Sequence, residues 1–507
     1  MSVDIHPQQK IDKRTDNVKN IGCAAALAVY SGLGIEKALR NHTRGSSARY
    51  DLNAIMRLLI CERIVEPGSK LAAHRRRGRY FFRTDFTDDD VYRALDELAQ
   101  AKPYVISAMN RAIAAQGPRD TSTVYYDVTN YYFEIDEQDE LRRSGASKEH
   151  RTSPIVQMGL LQDARGIPIA YRKFSGNTPD CLTMMPVLEQ MKRDHKLARV
   201  VCVADKGLNC SDNIAATVAS GDGFVFSQSV RGTKSDAELK AWVTDEQGYT
   251  RTNGSFKCKS KQGYKTVHLK AGDSADGRPK DVRVEVKYVA FWSRKYEQRA
   301  RAEREKVIEK ARRLIAHPGA YTKATSYGAA QYVKNLTFDK KTGEIIAGRS
   351  LSLDEQAIAE QEKYDGYYLI VTSETDWPSE KIIDTYRELW RIEESFKITK
   401  SELRTRPVYV RTPEHIEAHF LICYIALTIL RILQQATGLS CSKIRSEISQ
   451  MEGVNFETNW WAFGHRSDES DLIAKTVGIE ELMLKCMTTK TARTILAKAA
   501  KAQLPHS

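Results

Sequence analysis

The 507-residue sequence contains nine cysteines, but no two of them form a C-x-x-C pair. Scattered cysteines in a chain of this length favour reduced, buried thiols over a disulfide framework or a zinc knuckle. A P-loop is also missing, and Gly32-x-Gly34 lacks the third glycine of a dinucleotide-binding turn. The sequence therefore contains no motif for ATP or for a dinucleotide.

Long apolar runs are scarce as well. The longest, Phe420 to Leu430, is far shorter than the roughly 20 residues that a membrane-spanning helix needs. Because no charged segment followed by an apolar one opens the chain, we expect it to reside in the cytoplasm without a membrane partner. Hydrophobic residues make up 41% of the chain, which is too many for a predominantly disordered protein.

Positive charge is concentrated in one part of the chain. Lys and Arg number 78 against 65 Asp and Glu, which gives a formal net charge of +13. Residues 251–316 alone contain 19 basic and 8 acidic side chains. A basic segment of this density favours a polyanionic partner, above all the phosphate backbone of DNA. A solvated basic face on a long helix is the alternative interpretation.

Hydrophobic periodicity changes along the chain. Helical patterns dominate the first 120 residues, with a basic cluster at 74–79 that suits a small DNA-binding module or a helical linker. Three strand candidates, a helix, a strand, a helix and a strand follow, an order that is consistent with a ribonuclease-H-like α/β core. We divide the chain into a helical N-terminal DNA-binding region (1–120), the first part of the α/β core (121–228), a basic β-containing insertion (229–361), the second part of the core (362–435) and a helical C-terminal region (436–507).

Two acidic residues stand within or directly after strands that are otherwise apolar. Asp127 lies in the run of residues 124–128, and Asp205 ends the run of residues 200–205. A buried carboxylate is costly unless it is paired or bound to a metal ion. Carboxylates suit Mg²⁺ or Mn²⁺, and two such ions stabilise both the attacking and the leaving oxygen of a phosphoryl transfer. Each aspartate taken alone is equally well explained as a turn cap.

A third acid, Glu393, comes from the helical segment Tyr386 to Lys400, which reads YRELWRIEESFKITK. This segment resembles the Tyr-Arg-Glu-Lys signature of the DDE transposases of the IS4-like insertion sequences, and more narrowly those of the IS1634 type. Further short matches to the narrower group follow in order along residues 120–435: Tyr126-Asp127-Val128-Thr129, Gly166-Ile167-Pro168, Gly176-Asn177, Ala204-Asp205-Lys206-Gly207, Arg406-Pro407-Val408-Tyr409 and His419-Phe420-Leu421-Ile422-Cys423.

The resemblance implies an activity, a site and partners. It implies that Asp127, Asp205 and Glu393 form a catalytic triad that holds two Mg²⁺ or Mn²⁺ ions. It also implies a ribonuclease-H-like core with a β-rich insertion before the helix that carries the glutamate. The implied activity is cut-and-paste DNA transposition by a homodimer in complex with double-stranded DNA, namely transposon inverted-repeat ends and target DNA, at the bacterial nucleoid.

The same helix provides candidate DNA contacts. If Tyr386 to Lys400 is one continuous helix, Tyr386, Lys397 and Lys400 lie on the side of Glu393, and we expect them to contact DNA beside the metal ions. Leu389 replaces the arginine of the signature, and we expect it to pack against the domain.

Further contacts are expected around the basic insertion. By resemblance, Tyr368 lies near the position where relatives place a tryptophan that stacks on a flipped base, and core packing is the alternative. Within the insertion we expect four lysines to contact DNA: Lys257, Lys259, Lys261 and Lys265.

Two other functions compete with transposition. One is a non-catalytic, sequence-specific DNA-binding protein derived from a transposase, and the other is a ribonuclease-H-like nuclease that cuts DNA without joining strands. The intact acidic triad argues against the first, while strand transfer would exclude both. The segment His415-x-Glu417-x-His419 does not match H-E-x-x-H, and a polar helix end is the simpler interpretation.

Overall fold

The computed structural model of the chain describes residues 17–45, 49–117, 119–135, 137–145, 153–195, 199–231, 236–269, 280–323, 325–339, 343–346, 350–457 and 459–505. Within these ranges the α-helices are α1 (Cys23–Gly32), α2 (Ile35–His42), α3 (Leu52–Val65), α4 (Lys70–Arg75), α5 (Asp88–Ala114), α6 (Met184–His195), α7 (Ser211–Ala219), α8 (Ala237–Thr244), α9 (Arg294–Ala316), α10 (Glu355–Glu362), α11 (Ser379–Arg387), α12 (Trp390–Lys397), α13 (Pro413–Thr437), α14 (Cys441–Gln450), α15 (Asp468–Thr476) and α16 (Thr489–Ala499).

The strands in the same ranges are β1 (Val18–Asn20), β2 (Thr123–Tyr132), β3 (Ile155–Asp163), β4 (Pro168–Ser175), β5 (Val201–Ala204), β6 (Gly223–Gln228), β7 (Thr250–Asn253), β8 (Phe256–Leu269), β9 (Lys280–Ser293), β10 (Val333–Lys334), β11 (Ser352–Leu353), β12 (Tyr367–Thr372), β13 (Glu452–Glu457), β14 (Trp460–Phe463) and β15 (Cys486–Thr488). Among the described residues, these strands form one large mixed sheet of nine strands, a four-stranded sheet with the order β1-β13-β14-β15 and the two-stranded pair β10-β11. This confirms the mixed α/β class expected from the sequence.

The large sheet has the strand order β4-β3-β2-β5-β6-β12-β9-β8-β7. Strands β2, β5 and β6 run parallel to one another, whereas β3 pairs antiparallel with β2 on one side and with β4 on the other. All nine residues of β3 are buried, as is typical of a strand that is covered on both faces. This part of the sheet is therefore an internal layer between helices.

Side chains alternate between two hydrophobic clusters on the two faces of this sheet. Val124 and Tyr126 of β2 belong to the cluster that contains apolar residues of α6 and α7. Tyr125 and Tyr131 of the same strand belong to the cluster that contains apolar residues of α11, α12 and α13. The alternation follows from the period of two along a strand, and it gives a three-layer α/β/α arrangement.

The basic segment 229–361 contributes to this same sheet. Its long strands β8 and β9 pair with each other, and β9 pairs antiparallel with β12 in a register that places Leu369 opposite Ala290. Helix α9 follows β9 directly and packs, through Ala311 and Leu314, on a smaller separate cluster. The strands of the insertion thus continue the sheet that carries the core strands.

Among the described helices, α13 alone is long and apolar enough to cross a membrane. However, 89% of its most apolar stretch of 18 residues is buried inside the protein. It begins after Thr412, whose side chain accepts a hydrogen bond from the His415 amide, and it ends at Gly438 in the left-handed conformation. Helices α1, α3, α5 and α14 pack around it. Burial against these helices accounts for its apolar composition.

The sequence predicted one continuous helix for the segment that carries Glu393. The structure contradicts this prediction and divides the segment into separate elements. Helix α11 ends at Arg387, α12 begins at Trp390, and a π-helical turn follows at Ile398–Glu402. Leu389, in the break, is buried with 6% exposure, which confirms that it packs against the domain. Angular relations between residues on opposite sides of the break are therefore not those of an ideal helix.

Candidate active site

Asp127 and Asp205 lie side by side at the same level of two neighbouring strands. The parallel register of β2 and β5 pairs Tyr125 with Val203, and the two aspartates each stand two residues further along. Asp205 keeps an extended backbone, with φ −78° and ψ 169°, directly after β5. Since neighbouring strands are about 4.8 Å apart, this register brings the two acids together at the carboxyl ends of parallel strands.

Both aspartates are on the sheet face that is covered by α11 and α12. Tyr125 and Val203 belong to the hydrophobic cluster of that face, and residues two positions further along an extended strand share its direction. Helix α12 packs against β2, and α11 packs against β5 and β6. The helix pair that carries the signature residues therefore lies on the aspartates.

Two hydroxyl groups donate hydrogen bonds to the same oxygen of Asp205. Ser227 Oγ, at the end of β6, donates to Asp205 Oδ1 at 2.8 Å. Tyr386 Oη, on α11, donates to Asp205 Oδ1 at 3.4 Å. Burial raises the pKa of the Tyr386 phenol, and the negative charge of Asp205 raises it further, so the phenol remains a proton donor.

Glu393 lies on α12 with an exposed side chain. The pKa of Tyr386 is raised first by burial and then by the charge of Asp205, and the charge of Glu393 raises it further. Glu393 is therefore close enough to Tyr386 and Asp205 to act on the same phenol. Among the described residues, no three carboxylate, histidine or cysteine side chains are close enough to hold one metal ion. The structure thus gathers the three predicted acids in one region without bringing them into a single coordination group.

A cleft of about 370 Å³ opens beside Asp205 and is lined by Ser227, Tyr386, Tyr368 and residues of α9. Tyr368 is 40% exposed. Its ring stacks on that of Phe291 at a centroid distance of 5.4 Å and an interplanar angle of 11°. The structure therefore brings Tyr368 into the same cleft as Asp205, on a platform of core aromatic residues.

The prediction that Lys257 and Lys259 contact DNA is not supported, because both side chains are buried. Lys257 Nζ forms an ion pair with Glu246 and donates to Tyr367 Oη at 2.9 Å. Lys259 Nζ donates to the Asp245 carbonyl at 2.6 Å. A buried ammonium group must be satisfied by the protein, and these two groups are directed inwards for that reason.

The other two lysines of β8 differ from each other. Lys261 is partly exposed and lies 3.6 Å from Glu238, so it remains a candidate DNA contact. Lys265 is half-buried, and its ammonium group donates to Asn209 Oδ1 at 3.0 Å and Gln228 Oε1 at 2.8 Å. The side chain of Lys265 is thus directed towards the segment that follows Asp205, and its contact with DNA stays a prediction.

The lysines after Glu393 are closer to their expected places. Lys397 is exposed and stands four residues after Glu393 on the same helix, α12, which puts the two side chains on one side. Lys400 is half-buried within the π-helical turn. The two lysines therefore belong to different helical geometries, with Lys397 the more accessible one.

Two residues of the site were not identified from the sequence. Ser227 follows the apolar strand residues 224–226, and the signal would have been a polar residue at the same strand end as Asp205. Arg299 is exposed on α9, and its pKa is raised first by its hydrogen bond to Glu303 and also by the charges of Tyr368 and Glu393. Only the tertiary arrangement places α9 beside the cleft.

The weaker metal candidate at the start of α13 is a set of structural contacts. His415 lies 3.2 Å from Asp96, and Glu417 forms ion pairs with Lys102 and Lys173. His419 is buried, where its Nε2 contacts the carbonyl of residue 405 at 2.9 Å. The three side chains therefore serve different neighbours, in agreement with a polar helix end.

Comparison with known proteins gives one family match. A family model described as the transposase DDE domain matches residues 133–429, more than half of the chain. This range includes Asp205 and Glu393 and begins shortly after Asp127. No curated protein matches the chain.

One solved structure that is similar to the chain is a cryo-EM structure of the piggyBac transposase synaptic complex with hairpin DNA. The superposition covers 98% of this chain and 87% of the other, with 8% sequence identity and a TM-score of 0.40. A TM-score of 0.40 at this identity does not establish a shared fold.

Proposed function

The chain belongs to the family of transposase DDE domains, and we propose on that premise that it catalyses cut-and-paste DNA transposition. In this function it hydrolyses DNA at transposon inverted-repeat ends and transfers the freed strands to target DNA. The observation that carries the proposal is the pair Asp127 and Asp205, adjacent on parallel strands beneath the helix that carries Glu393.

We further propose a ribonuclease-H-like core and membership of the IS4-like, IS1634-type group. The order β4-β3-β2-β5-β6, with β3 antiparallel and helices α6 and α7 in the crossovers, supports such a core. The segment from Tyr386 to Lys400 and the shorter matches along residues 120–435 support the narrower group.

The residues present suit a divalent metal ion. Asp127, Asp205 and Glu393 would hold Mg²⁺ or Mn²⁺, two ions per site, because hard cations of this kind prefer carboxylate oxygens. When bound, the ions activate the attacking oxygen and stabilise the leaving one. The protein groups orient the site, since Ser227 and Tyr386 hold one oxygen of Asp205 and direct the other away from them.

DNA contacts come from the basic and aromatic groups around this cleft. We propose contacts from Tyr368, Tyr386, Lys261, Lys397 and Lys400, together with the exposed basic face of α9: Arg294, Lys295, Arg299, Arg301, Lys306, Arg312 and Arg313. Because two transposon ends must be held at once, we propose a homodimer in the DNA complex. The DNA partners are the inverted-repeat ends and the target, and the protein acts in the cytoplasm at the nucleoid.

A strand-transfer assay tests the proposal. The protein is incubated with Mg²⁺, a target plasmid, and a donor fragment that ends in the inverted repeats flanking its own coding region. Joined donor–target products are expected, and Asp127→Ala, Asp205→Ala and Glu393→Ala should each remove them while end binding persists. Nicked ends without joined products would indicate a nuclease, and binding without cleavage would indicate a DNA-binding protein.

A further inference from the structure

Lys265 is a half-buried lysine whose position links the basic insertion to the candidate active site. Its ammonium group donates to Asn209 Oδ1 and Gln228 Oε1, which are both uncharged amide oxygens. Burial lowers the pKa of Lys265 to about 8. Keeping an ammonium group away from water is costly, so the contacts it makes there have to offset that cost.

The two acceptors of Lys265 also bind each other. Asn209 Nδ2 donates to Gln228 Oε1 at 3.0 Å and to the Ser227 carbonyl at 2.8 Å. The three side chains therefore form a closed set of hydrogen bonds between β8, the turn after Asp205 and the end of β6. Each member restricts the other two.

This set contacts the turn that follows Asp205 and the neighbouring strand β6. Asn209 follows Asp205 in the chain through a single 3-10 turn, Lys206–Leu208. Ser227 lies at the level of Asp205 on the neighbouring parallel strand, because β5 and β6 pair Ala204 with Phe226. The Asn209–Ser227 hydrogen bond therefore ties together the two segments that fix the position of the Asp205 carboxylate.

We propose that Ser227 and Lys265 are positioning residues for Asp205. Ser227 holds Asp205 Oδ1 directly at 2.8 Å, and Lys265 holds the Asn209–Gln228 pair that anchors Ser227 and the turn. Removing a group that orients a metal ligand in this way typically costs about 10- to 100-fold in metal affinity or activity. The inference rests on the proposed metal-binding role of Asp205, and it gives the insertion strand β8 a direct part in shaping the site.

The test measures metal binding and DNA binding separately in Ser227→Ala, Lys265→Met and Lys265→Gln. Mn²⁺ is titrated into the full-length protein and followed by its EPR signal, and Mg²⁺ dependence of end nicking is measured in parallel. We expect the dissociation constant for Mn²⁺ and the half-saturating Mg²⁺ concentration to rise about 10-fold in each variant. Ser227→Thr keeps the hydroxyl group and should restore most of the loss.

Matched controls separate positioning from general stability. Lys259→Met removes a buried ammonium group from the same strand, one that donates to backbone carbonyls. Ser373→Ala removes a hydroxyl at the opposite end of β6, where Ser373 Oγ accepts from the Phe224 amide at 2.9 Å. Both controls should lower the unfolding temperature without changing the dissociation constant for Mn²⁺.

End binding across a salt series distinguishes positioning from phosphate contact. The salt slope should be unchanged in Lys265→Met, because its ammonium group does not face DNA. A slope lower by about one unit would identify a phosphate contact and overturn the proposal. Unchanged Mn²⁺ binding in folded Ser227→Ala, or no Mn²⁺ binding by the wild-type protein, would overturn it as well. Weakened Mn²⁺ binding in variants of a protein that nicks no DNA would uphold the positioning role while rejecting the proposed reaction.

Discussion

Acids lie at both ends of the central strands of the large sheet, here called its two edges, but different groups bind the acids at each edge. At the edge where β6 begins, the fully buried carboxylate of Asp222 forms an ion pair with Lys192 at 2.8 Å, and Glu374 forms one with Arg199. At the opposite edge, where β5 ends, Asp205 accepts hydrogen bonds from the hydroxyl groups of Ser227 and Tyr386.

The difference separates the acids that tie segments of the protein together from the acid to which we assign the reaction. An acid that is paired with lysine or arginine has its charge neutralised by the protein, and it ties two segments together. An acid that accepts bonds from neutral hydroxyl groups keeps its negative charge while its orientation is fixed. An acid of the second kind has no cationic side chain that competes with a divalent cation, so the edge with Asp205 is the one where we place the chemistry.

The largest effect is expected for Asp205→Ala, which tests the comparison directly by removing the acid at the edge where β5 ends. Nicking of inverted-repeat ends should fall by roughly 10³-fold or more, because a ligand of the charge-stabilising centre is lost. The unfolding temperature should stay close to that of the wild type, since no ion pair is removed. Time courses of nicking on end-labelled DNA measure the first effect. Near-normal nicking would show that the two edges do not differ in function.

The complementary change is Asp222→Ala at the other edge. Removing this carboxylate leaves Lys192 without its ion-pair partner and the amide of residue 200 without its acceptor, so stability should fall by about 3 kcal/mol. Chemical denaturation followed by circular dichroism gives the value. Nicking per folded molecule should be preserved. A stable variant with impaired nicking would mean that this edge also serves the reaction.

Tyr386→Phe sharpens the comparison at the site itself. It removes one of the two hydroxyl donors to Asp205 Oδ1 and keeps the ring, so we expect nicking to fall by about 3- to 10-fold. Binding of the inverted-repeat ends at low salt should change little if the hydroxyl acts through Asp205. The rate at saturating DNA and the dissociation constant of the ends separate the two roles, and a loss confined to binding would assign the hydroxyl to DNA.

The smallest effect is expected on the salt dependence of DNA binding, and it compares the exposed Lys397 with the buried Lys259. Lys397→Ala should lower the salt slope of end binding by about one unit, because an exposed phosphate contact is lost. Lys259→Ala should leave the slope unchanged, because that ammonium group is bonded inside the protein. Equilibrium binding between low and moderate salt measures both. Equal slopes for the two variants would contradict the burial seen here.

The positions of the two aspartates were predictable because their signal is local. Asp127 and Asp205 each interrupt or end a run of β-branched and aromatic residues, and such runs form buried strands in most contexts. Parallel strands then bring their carboxyl ends to one edge of the sheet, as the register confirms. The helical character around Glu393 was predictable for the same reason, although the break at Leu389 was not.

The burial and the hydrogen-bond partners of each lysine were decided only by the tertiary structure. Lys257, Lys259 and Lys265 alternate on one strand, and from the sequence each is an equally plausible phosphate contact. Their environments differ because β8 packs beside α7 and because carbonyl, carboxylate and amide oxygens from distant segments reach their ammonium groups. Burial depends on which segments meet, and a charge count along the chain contains no information about that.

What the sequence alone determined is therefore the chemistry that the chain carries: its acids, its excess of basic residues and its order of strands and helices. Which groups surround each acid and each lysine was decided by tertiary contacts such as Ser227 to Asp205 and Lys265 to Gln228. These contacts join residues that lie from about twenty to almost forty positions apart, and their pairing follows from sheet register and side-chain packing. Local patterns fix periodicity, whereas the neutralisation of a charge depends on the partner that folding brings within hydrogen-bonding distance.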